Sequence, residues 1–279
     1  MLSVSAVKGQ ESQGFSLMLK NVSGKELELD AVVTGKDARW FEIVPEAMLI
    51  GSGENAVMKV SLNPEKGKGR YSAVLEIGGQ SVPLEGIALE AFEGKNEPPL
   101  AEIADALGLK IDVGGTELHM STEEDRLGDS LALSHFRGIA GKMIRVTPVA
   151  RFSPTGDLPF GIISEGGKTE KWLDLADSNE FPDNHQCLFP EMKSGKGYIE
   201  KAAPDGMFSF YSEGHKFVSS TDPAFPSKAK IKHKARVYEV KEFQGRPLTD
   251  AFLLGFEEAQ NGDYQDCVFL VENVSPVTP

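Results

Sequence analysis

The first ninety residues alternate between short apolar runs and turn signals. Gly, Asn, Asp and Pro, as in GSGEN and EKGKG, separate runs that alternate or stay apolar over the length of one strand. These runs cover residues 15–22, 25–33, 41–45, 55–64, 70–79 and 80–89. Short strands at such spacing are typical of an immunoglobulin-type β-sandwich. The pattern therefore predicts an Ig-like sandwich over residues 1–92, without a helix.

The following segment changes from strands to a linker and one short helix. Residues 93–99 contain a glycine and two adjacent prolines, which favour an extended or turning path. After them, LAEIADALGL repeats its apolar positions at i, i+3, i+4 and i+7 from Leu100, and Gly108 supplies a C-terminal stop. We therefore predict a linker at 93–99 and a helix at the start of a second domain, 100–279.

The second domain returns to strand patterns. Apolar runs of strand length cover residues 143–152, 160–164, 206–212, 230–240, 251–257 and 266–274. They predict a larger, jelly-roll-like β-sandwich, so the expected fold class is all-β with one short helix at the junction. The region 165–226 is less regular, and long irregular stretches often carry recognition loops.

Charge narrows the possible partners. The chain of 279 residues has 29 Lys and Arg against 42 Asp and Glu, a net charge of -13. This balance argues against nucleic acid and anionic membranes as partners, because both repel it. No apolar run approaches the length of about 18 residues that a membrane helix needs. From residue 96 onward there are 19 basic and 29 acidic residues, so the second domain is where a cation is expected.

The sharpest candidate site lies between the last two predicted strands. Five oxygen-bearing side chains fall within ten residues there: Glu257, Glu258, Asn261, Asp263 and Asp266. Calcium accepts six to eight oxygen ligands from irregular loops, whereas magnesium demands a stricter octahedron. The spacing does not match an EF-hand. The alternative interpretation is an acidic, solvated turn that holds no metal.

Two resemblances give these patterns a context. The segments WFEIVP (40–45), VMKVSLNP (57–64) and AVL (73–75), together with the closing LEG (84–86), resemble Ig-like modules of the PapD-like and choice-of-anchor type. That resemblance implies a spacer or interaction module and supplies no chemistry.

The C-terminal region resembles the calcium-associated β-sandwich domain of bacterial surface and secreted proteins, whose loop has the form GFED…GDxDYND. This chain has GFEE at 255–258 and GDYQD at 262–266, with Glu258 replacing the usual Asp and Gln265 the usual Asn. The resemblance implies bound calcium with Glu257, Asp263 and Asp266 as ligands. It also implies an extracellular or cell-surface location, and attachment to further domains of a larger exported protein.

A polysaccharide or cell-surface glycan is the partner we expect for such a module. Aromatic rings can stack on sugars, and lysines on one face of a strand can bind acidic polysaccharide. The candidate residues for this role are Trp172, Tyr198, Tyr211, Lys230, Lys232 and Lys234. The alternatives are rings packed as loop anchors and lysines on a solvated face that protects an edge strand.

Enzymatic motifs fail on their context. Residues 128–131 read GDSL, an esterase signature, but polar STEEDR precedes them and no Asp-x-x-His follows. The glycines at 161 and 167 are too far apart for a phosphate loop, and the histidines lack metal-ligand spacing. A non-catalytic, calcium-stabilised, carbohydrate-binding module is therefore the leading hypothesis. A structural or adhesive spacer, whose calcium serves stability alone, is the alternative, and a hydrolase is the third.

Two cysteines leave a further question open. Cys187 and Cys267 could form one disulfide in an exported protein, or remain as two buried thiols.

Overall fold

The chain divides into two compact units, Met1–Asn96 and Glu97–Pro279. The structure, a computed structural model, describes residues 1–10, 14–63, 67–114, 128–177, 179, 181, 183–228, 234–259 and 261–277. Both units are built from β-sheets, and the predicted all-β fold class is confirmed. None of the helices in the described residues has the length and hydrophobicity to cross a membrane.

Unit 1 is a sandwich of a five-stranded and a three-stranded sheet. Its strands are β1 (Leu2–Val7), β2 (Phe15–Lys20), β3 (Leu27–Thr34), β4 (Phe41–Val44), β5 (Ala47–Ile50), β6 (Asn55–Leu62), β7 (Gly69–Ile77) and β8 (Gln80–Leu89). The larger sheet has the order β1-β8-β7-β3-β5 and the smaller one β2-β6-β4. Strand β1 runs parallel to β8, and the other pairs are antiparallel.

The core of unit 1 follows from strand alternation. In β7, Tyr71, Ala73, Leu75 and Ile77 are buried, whereas the residues between them are partly exposed. Side chains of both sheets meet in one cluster that also contains Trp40, next to a 3-10 turn at Ala38–Trp40. The prediction of six strands missed β1 and β5. The first is buried at every position and the second has four residues, so neither shows a long alternating pattern.

Unit 2 begins with a short helix, α1 (Leu100–Ala106). Gly108, at φ +71°, ends it: the Gly108 N–H donates to Asp105 O and the Leu109 N–H to Ala104 O. These two bonds form a Schellman motif, which needs a residue with positive φ that glycine adopts without strain. The helix is therefore shorter than the predicted run, although it stops at the predicted glycine.

Two larger sheets and a small hairpin make up the rest of unit 2. The strands are β9 (His135–Gly138), β10 (Met143–Phe152), β11 (Leu158–Ser164), β12 (Thr169–Leu175), β13 (Gln186–Leu188), β14 (Ile199–Ala202), β15 (Phe208–Glu213), β16 (Val218–Ser220), β17 (Ala235–Glu239), β18 (Glu242–Phe243), β19 (Arg246–Pro247), β20 (Ala251–Phe256), β21 (Cys267–Glu272) and β22 (Val274–Val277). One sheet has the order β13-β10-β21-β20-β17, with β14 also paired to β10. The other has the order β12-β11-β15-β9-β22, with β16 paired to β15.

Aromatic side chains of both sheets fill the core of unit 2. The rings of Phe160 and Phe269, from different sheets, have centroids 4.0 Å apart, and Phe210 lies 5.7 Å from Phe160. Burial of such rings supplies most of the hydrophobic stabilisation of a sandwich. This core fixes β20 and β21, which are antiparallel neighbours with Phe256 opposite Cys267. The acidic segment 257–266 is therefore the connection of a hairpin at one end of the sheet.

The sheet also answers the question of the cysteines. Cys187 of β13 and Cys267 of β21 both lie opposite Arg151, on either side of β10. Two strand spacings of about 4.8 Å separate them, whereas a disulfide needs Cα atoms within about 7 Å. Both cysteines are buried free thiols.

Candidate functional site

The hairpin loop 257–266 brings three carboxylates together inside the protein. Glu257, Asp263 and Asp266 each present an oxygen within 4.8 Å of the other two. Their side chains belong to residues that are 0%, 5% and 4% exposed, respectively. The loop is therefore not the solvated acidic turn of the alternative interpretation. We call these three residues the acidic cluster.

Backbone amides wrap the loop around Glu257. Its Oε1 accepts a hydrogen bond from the Ala259 N–H at 2.7 Å, and its Oε2 accepts from Gly262 at 2.8 Å and Asp263 at 3.0 Å. Gly262 (φ +77°) adopts the left-handed conformation that this tight path requires. On the other side, Asp266 Oδ2 accepts from the Glu258 N–H at 2.5 Å. The sequence thus encodes a loop that folds around its own carboxylates.

Crowding of these charges changes their protonation. Burial, together with the neighbouring charges of Glu257 and Glu97, raises the pKa of Asp263 to about 8. Burial and the charge of Glu257 also raise the pKa of Asp266 well above its ordinary value. Negative charge here is costly unless a proton or a cation compensates it. Among the described ion pairs, none involves the acidic cluster.

Several buried oxygens of the loop have no hydrogen-bond partner. Asp263 Oδ1, Asn261 Oδ1 and Gln265 Oε1 are all in this state, although buried polar atoms are nearly always paired. The amide nitrogens of Asn261 and Gln265 donate to Asp263 Oδ2. Carboxylate and amide oxygens without donors are the ligand type that calcium and magnesium prefer. The residues present therefore fit a divalent cation.

The remaining predicted ligands lie at the border of the cluster. Glu258 is buried, but its Oε2 accepts a hydrogen bond from the His215 N–H at 2.9 Å, in the turn between β15 and β16. Burial raises the pKa of Glu258. Asn261 touches the cluster through its amide nitrogen on Asp263. The geometry thus groups Glu257, Asp263 and Asp266 and directs Glu258 elsewhere.

One residue of the site was missed by the sequence interpretation. Glu97 is 7% exposed, and its Oε2 accepts a hydrogen bond from Gln265 Nε2 at 3.2 Å. It lies far from the loop in sequence, so neither spacing nor periodicity relates the two positions. Its one signal is an acidic residue directly before two prolines.

Burial removes two of the predicted sugar-stacking rings. Trp172 is 7% exposed; it packs against Phe208 and Phe210, and its Nε1 donates to Glu170 Oε1 at 3.1 Å. Tyr211 is 6% exposed. Rings covered in this way offer no face to a sugar, and they act as core anchors instead.

Of the three predicted ligand-binding lysines, one lies in the described residues, and its environment differs from both interpretations. Lys230 and Lys232 lie outside the described residues. Lys234 is 5% exposed, and its Nζ donates to Pro223 O at 3.4 Å. Arg236, on the same face of the strand, lies over the ring of Tyr264, 4.3 Å from its centroid. Lys234 and Arg236 are therefore buried and belong to neither a solvated nor a polysaccharide-binding edge.

Tyr198 is the predicted aromatic residue that stays accessible. It is 44% exposed, and the guanidinium of Arg145 lies 4.1 Å from its ring centroid. Among the described candidates, the polysaccharide hypothesis therefore depends on Tyr198.

Comparisons with known proteins do not assign a family. No protein-family model and no curated protein matches the chain. Solved structures with partial likeness include the E. coli chaperone DraB, at 10% identity and a TM-score of 0.27, with 76% of this chain and 87% of that chain covered. The Pseudomonas aeruginosa CupB2 chaperone has 9% identity and a TM-score of 0.26, with 78% of this chain and 95% of that chain covered. A chain of the CsuC-CsuE chaperone-tip adhesion subunit complex of Acinetobacter baumannii has 9% identity and a TM-score of 0.25, with 81% of this chain and 93% of that chain covered. At such low TM-scores and identities, these likenesses assign neither a family nor a function.

Proposed function

We propose that this chain is a non-catalytic module of an exported protein, whose second unit is stabilised by a divalent cation in the hairpin loop. The observation that supports it is the meeting of three buried carboxylates within 4.8 Å, beside buried oxygens that lack donors. A cation there offsets the repulsion among the carboxylates and holds the loop in one conformation. Its binding free energy then becomes stability of the folded state.

Calcium is the cation that suits this loop best. The available oxygens come from carboxylates and side-chain amides on an irregular connection, and calcium tolerates such irregular shells. Magnesium needs a nearly ideal octahedron and retains water, which a loop closed by its own backbone amides does not favour. Extracellular calcium modules bind with Kd values of about 10⁻⁴–10⁻³ M, and we expect the same range here.

The burial of the site favours a structural role for the ion. Since Glu257 is 0% exposed, an ion held by it does not meet a large external ligand. The same burial argues against catalysis by Glu257 and Asp266, because their oxygens accept hydrogen bonds from backbone amides of the loop. A structural or adhesive module is therefore our first choice, and polysaccharide binding through Tyr198 is the second candidate.

Thermal melting of Asp263→Asn in calcium and in EDTA tests the proposal. For wild type, calcium at about one hundred times its Kd adds about 2.7 kcal/mol of stability, or about 5–10 °C for a unit of this size. The Asn amide would supply a donor at the place of the unpartnered Oδ1. We therefore expect this variant to melt higher than wild type in EDTA and to show no response to calcium.

The control for this experiment is Asp205→Asn, the same change at an exposed position of unit 2. It should melt and respond to calcium as wild type does. A wild-type protein whose melting is identical in calcium and EDTA, with no calcium bound in titration calorimetry, would contradict the proposed function.

A further inference from the structure

Glu97, the first residue of unit 2, is held by amides from two distant segments. Gln186 Nε2, from β13, donates to its Oε1 at 2.9 Å, and Gln265 Nε2, from the hairpin loop, donates to its Oε2 at 3.2 Å. Gln186 Nε2 also donates to Ser153 O at 3.2 Å, which fixes this amide against β10. The carboxylate of Glu97 therefore ties the start of unit 2 to the sheet on one side and to the loop on the other.

Gln265 connects Glu97 with the acidic cluster. Its Nε2 donates to Asp263 Oδ2 at 3.3 Å as well as to Glu97, so both amide hydrogens are used. The side chain is fully buried, and its Oε1 has no hydrogen-bond partner. Asp263 Oδ1 is in the same state, although its residue is 95% buried. A single amide thus bridges two carboxylates beside oxygens that lack any donor.

An apolar contact also connects the start of unit 2 with the hairpin loop. We call residues 97–106, which comprise Glu97 and helix α1, the leading segment. The Leu100 side chain is 6% exposed and comes within 3.6 Å of the point where a Gly255 Cβ would stand. The carbonyl of Tyr264, within the loop, lies 2.5 Å from that point. The leading segment therefore covers the base of the hairpin loop through both a polar and an apolar contact.

Electrostatics makes the contact between Glu97 and Gln265 depend on whether the acidic cluster holds a cation. Glu97 and Asp263 are two carboxyl groups that share one donor, Gln265 Nε2, in a poorly solvated site. A bound cation holds Asp263 in its ionised form and offsets the repulsion that two ionised carboxylates on one donor would otherwise exert. With a cation in the acidic cluster, Glu97 faces a site of more positive charge, and the two amide bonds hold it.

We propose that Glu97 is a positioning residue of the cation site, and that cation binding orders the leading segment through Gln265. This inference rests on the proposed function and assigns it a consequence outside the loop. Groups next to metal ligands that orient them typically change metal affinity by about 10–100-fold when they are mutated.

Amide hydrogen exchange of the full chain, together with calcium titration, tests the inference. In wild type, saturating calcium should slow the exchange of the α1 amides at least about tenfold relative to EDTA. Glu97→Gln replaces one acceptor by a donor that faces a glutamine amide, and it removes the negative charge. We expect it to bind calcium about tenfold more weakly and to lose the calcium-dependent protection of α1.

Two further variants sharpen the comparison. Glu102→Gln makes the same charge change in the first turn of α1 and should behave as wild type in both measurements. Gln265→Asn is one methylene shorter and cannot span Glu97 and Asp263. At a calcium concentration that saturates this variant in titration, the amides of α1 should exchange at the same rate as they do in EDTA. This variant also serves if Glu97→Gln does not fold.

The outcomes separate the two proposals. If wild type binds calcium but α1 exchanges at the same rate with and without it, the link through Gln265 is overturned and the proposed function stands. The link is equally overturned if Glu97→Gln binds calcium with wild-type affinity, or if it loses α1 protection equally in calcium and EDTA, since this indicates packing alone. If wild type binds no calcium, the proposed function fails and this inference fails with it.

Discussion

His185 shows how one buried side chain makes unit 2 sensitive to acid. The residue is 4% exposed and lies directly before β13. Burial, and then the positive charge of Arg151, lower the pKa of the imidazole from 6.5 to about 4. Hydrogen bonds hold the Arg151 guanidinium in place: its Nε donates to Ser153 Oγ at 2.9 Å and its Nη2 donates to Gly156 O at 2.6 Å. The neutral imidazole is therefore part of the folded state.

This shift predicts a loss of stability in mild acid. Between pH 6.5 and pH 4 the unfolded chain binds a proton on His185 and the folded chain does not, so the contribution of His185 to the free energy of unfolding falls as pH falls through that window. The effect should be on the order of 2 kcal/mol. In urea denaturation, with EDTA in every sample, the stability of His185→Gln relative to wild type should therefore rise as pH falls from 6.5 to 4.

The matched control is His215→Gln, at an exposed histidine of the same unit. Its pH dependence should follow that of wild type closely, because the replaced side chain is exposed and the three proteins contain the same carboxyl groups. Parallel curves for wild type and His185→Gln would contradict the role assigned to this imidazole.

At the scale of elements, β20 reaches the loop through a glycine that cannot carry a side chain. A Cβ on Gly255 would stand 2.5 Å from the carbonyl oxygen of Tyr264, which is backbone and cannot turn away. Gly255→Ala should therefore displace the loop and lower the free energy of unfolding by about 1–3 kcal/mol. The melting shift caused by calcium should also become smaller. Gly197→Ala, where a Cβ meets nothing within 4 Å, should leave both quantities unchanged.

The strands that could be predicted are those whose pattern comes from a continuous core. The interval 143–152 coincides with β10 (Met143–Phe152), and the apolar run AFLLGF forms β20. In contrast, β13 has three residues within a turn-rich stretch, and β22 has only four residues. Such strands form because a neighbouring strand is already in place, and a single sequence window does not contain that neighbour.

The residues of the candidate site also fall into those that the sequence could predict and those that it could not. Glu257, Asp263 and Asp266 could be grouped from sequence because ten residues contain them all. Glu97 could not, since its contact with Gln265 exists only after the sheets have formed. Trp172 and Lys234 illustrate the opposite error. A ring in an irregular stretch and a lysine in an alternating run look accessible in sequence, whereas packing buries both.

At the scale of the whole molecule, the two units should differ in their response to calcium. Each unit has its own apolar core, and the acidic cluster belongs to unit 2 alone. Domains with separate cores commonly unfold in separate transitions. We therefore expect scanning calorimetry of the full chain to show two transitions, of which calcium raises one and leaves the other in place.

A core substitution in unit 1 identifies the transitions. Met58 is 0% exposed, so Met58→Ala should cost about 2–5 kcal/mol and lower only the transition that calcium does not move. Asp263→Asn should remove the calcium shift of the other transition. If calcium moved both transitions equally, or if Met58→Ala lowered the calcium-sensitive one, the stabilising effect of the ion would extend beyond the unit that contains its carboxylates. The cation would then act on the chain as one cooperative body, and a local role in the hairpin loop would no longer describe it.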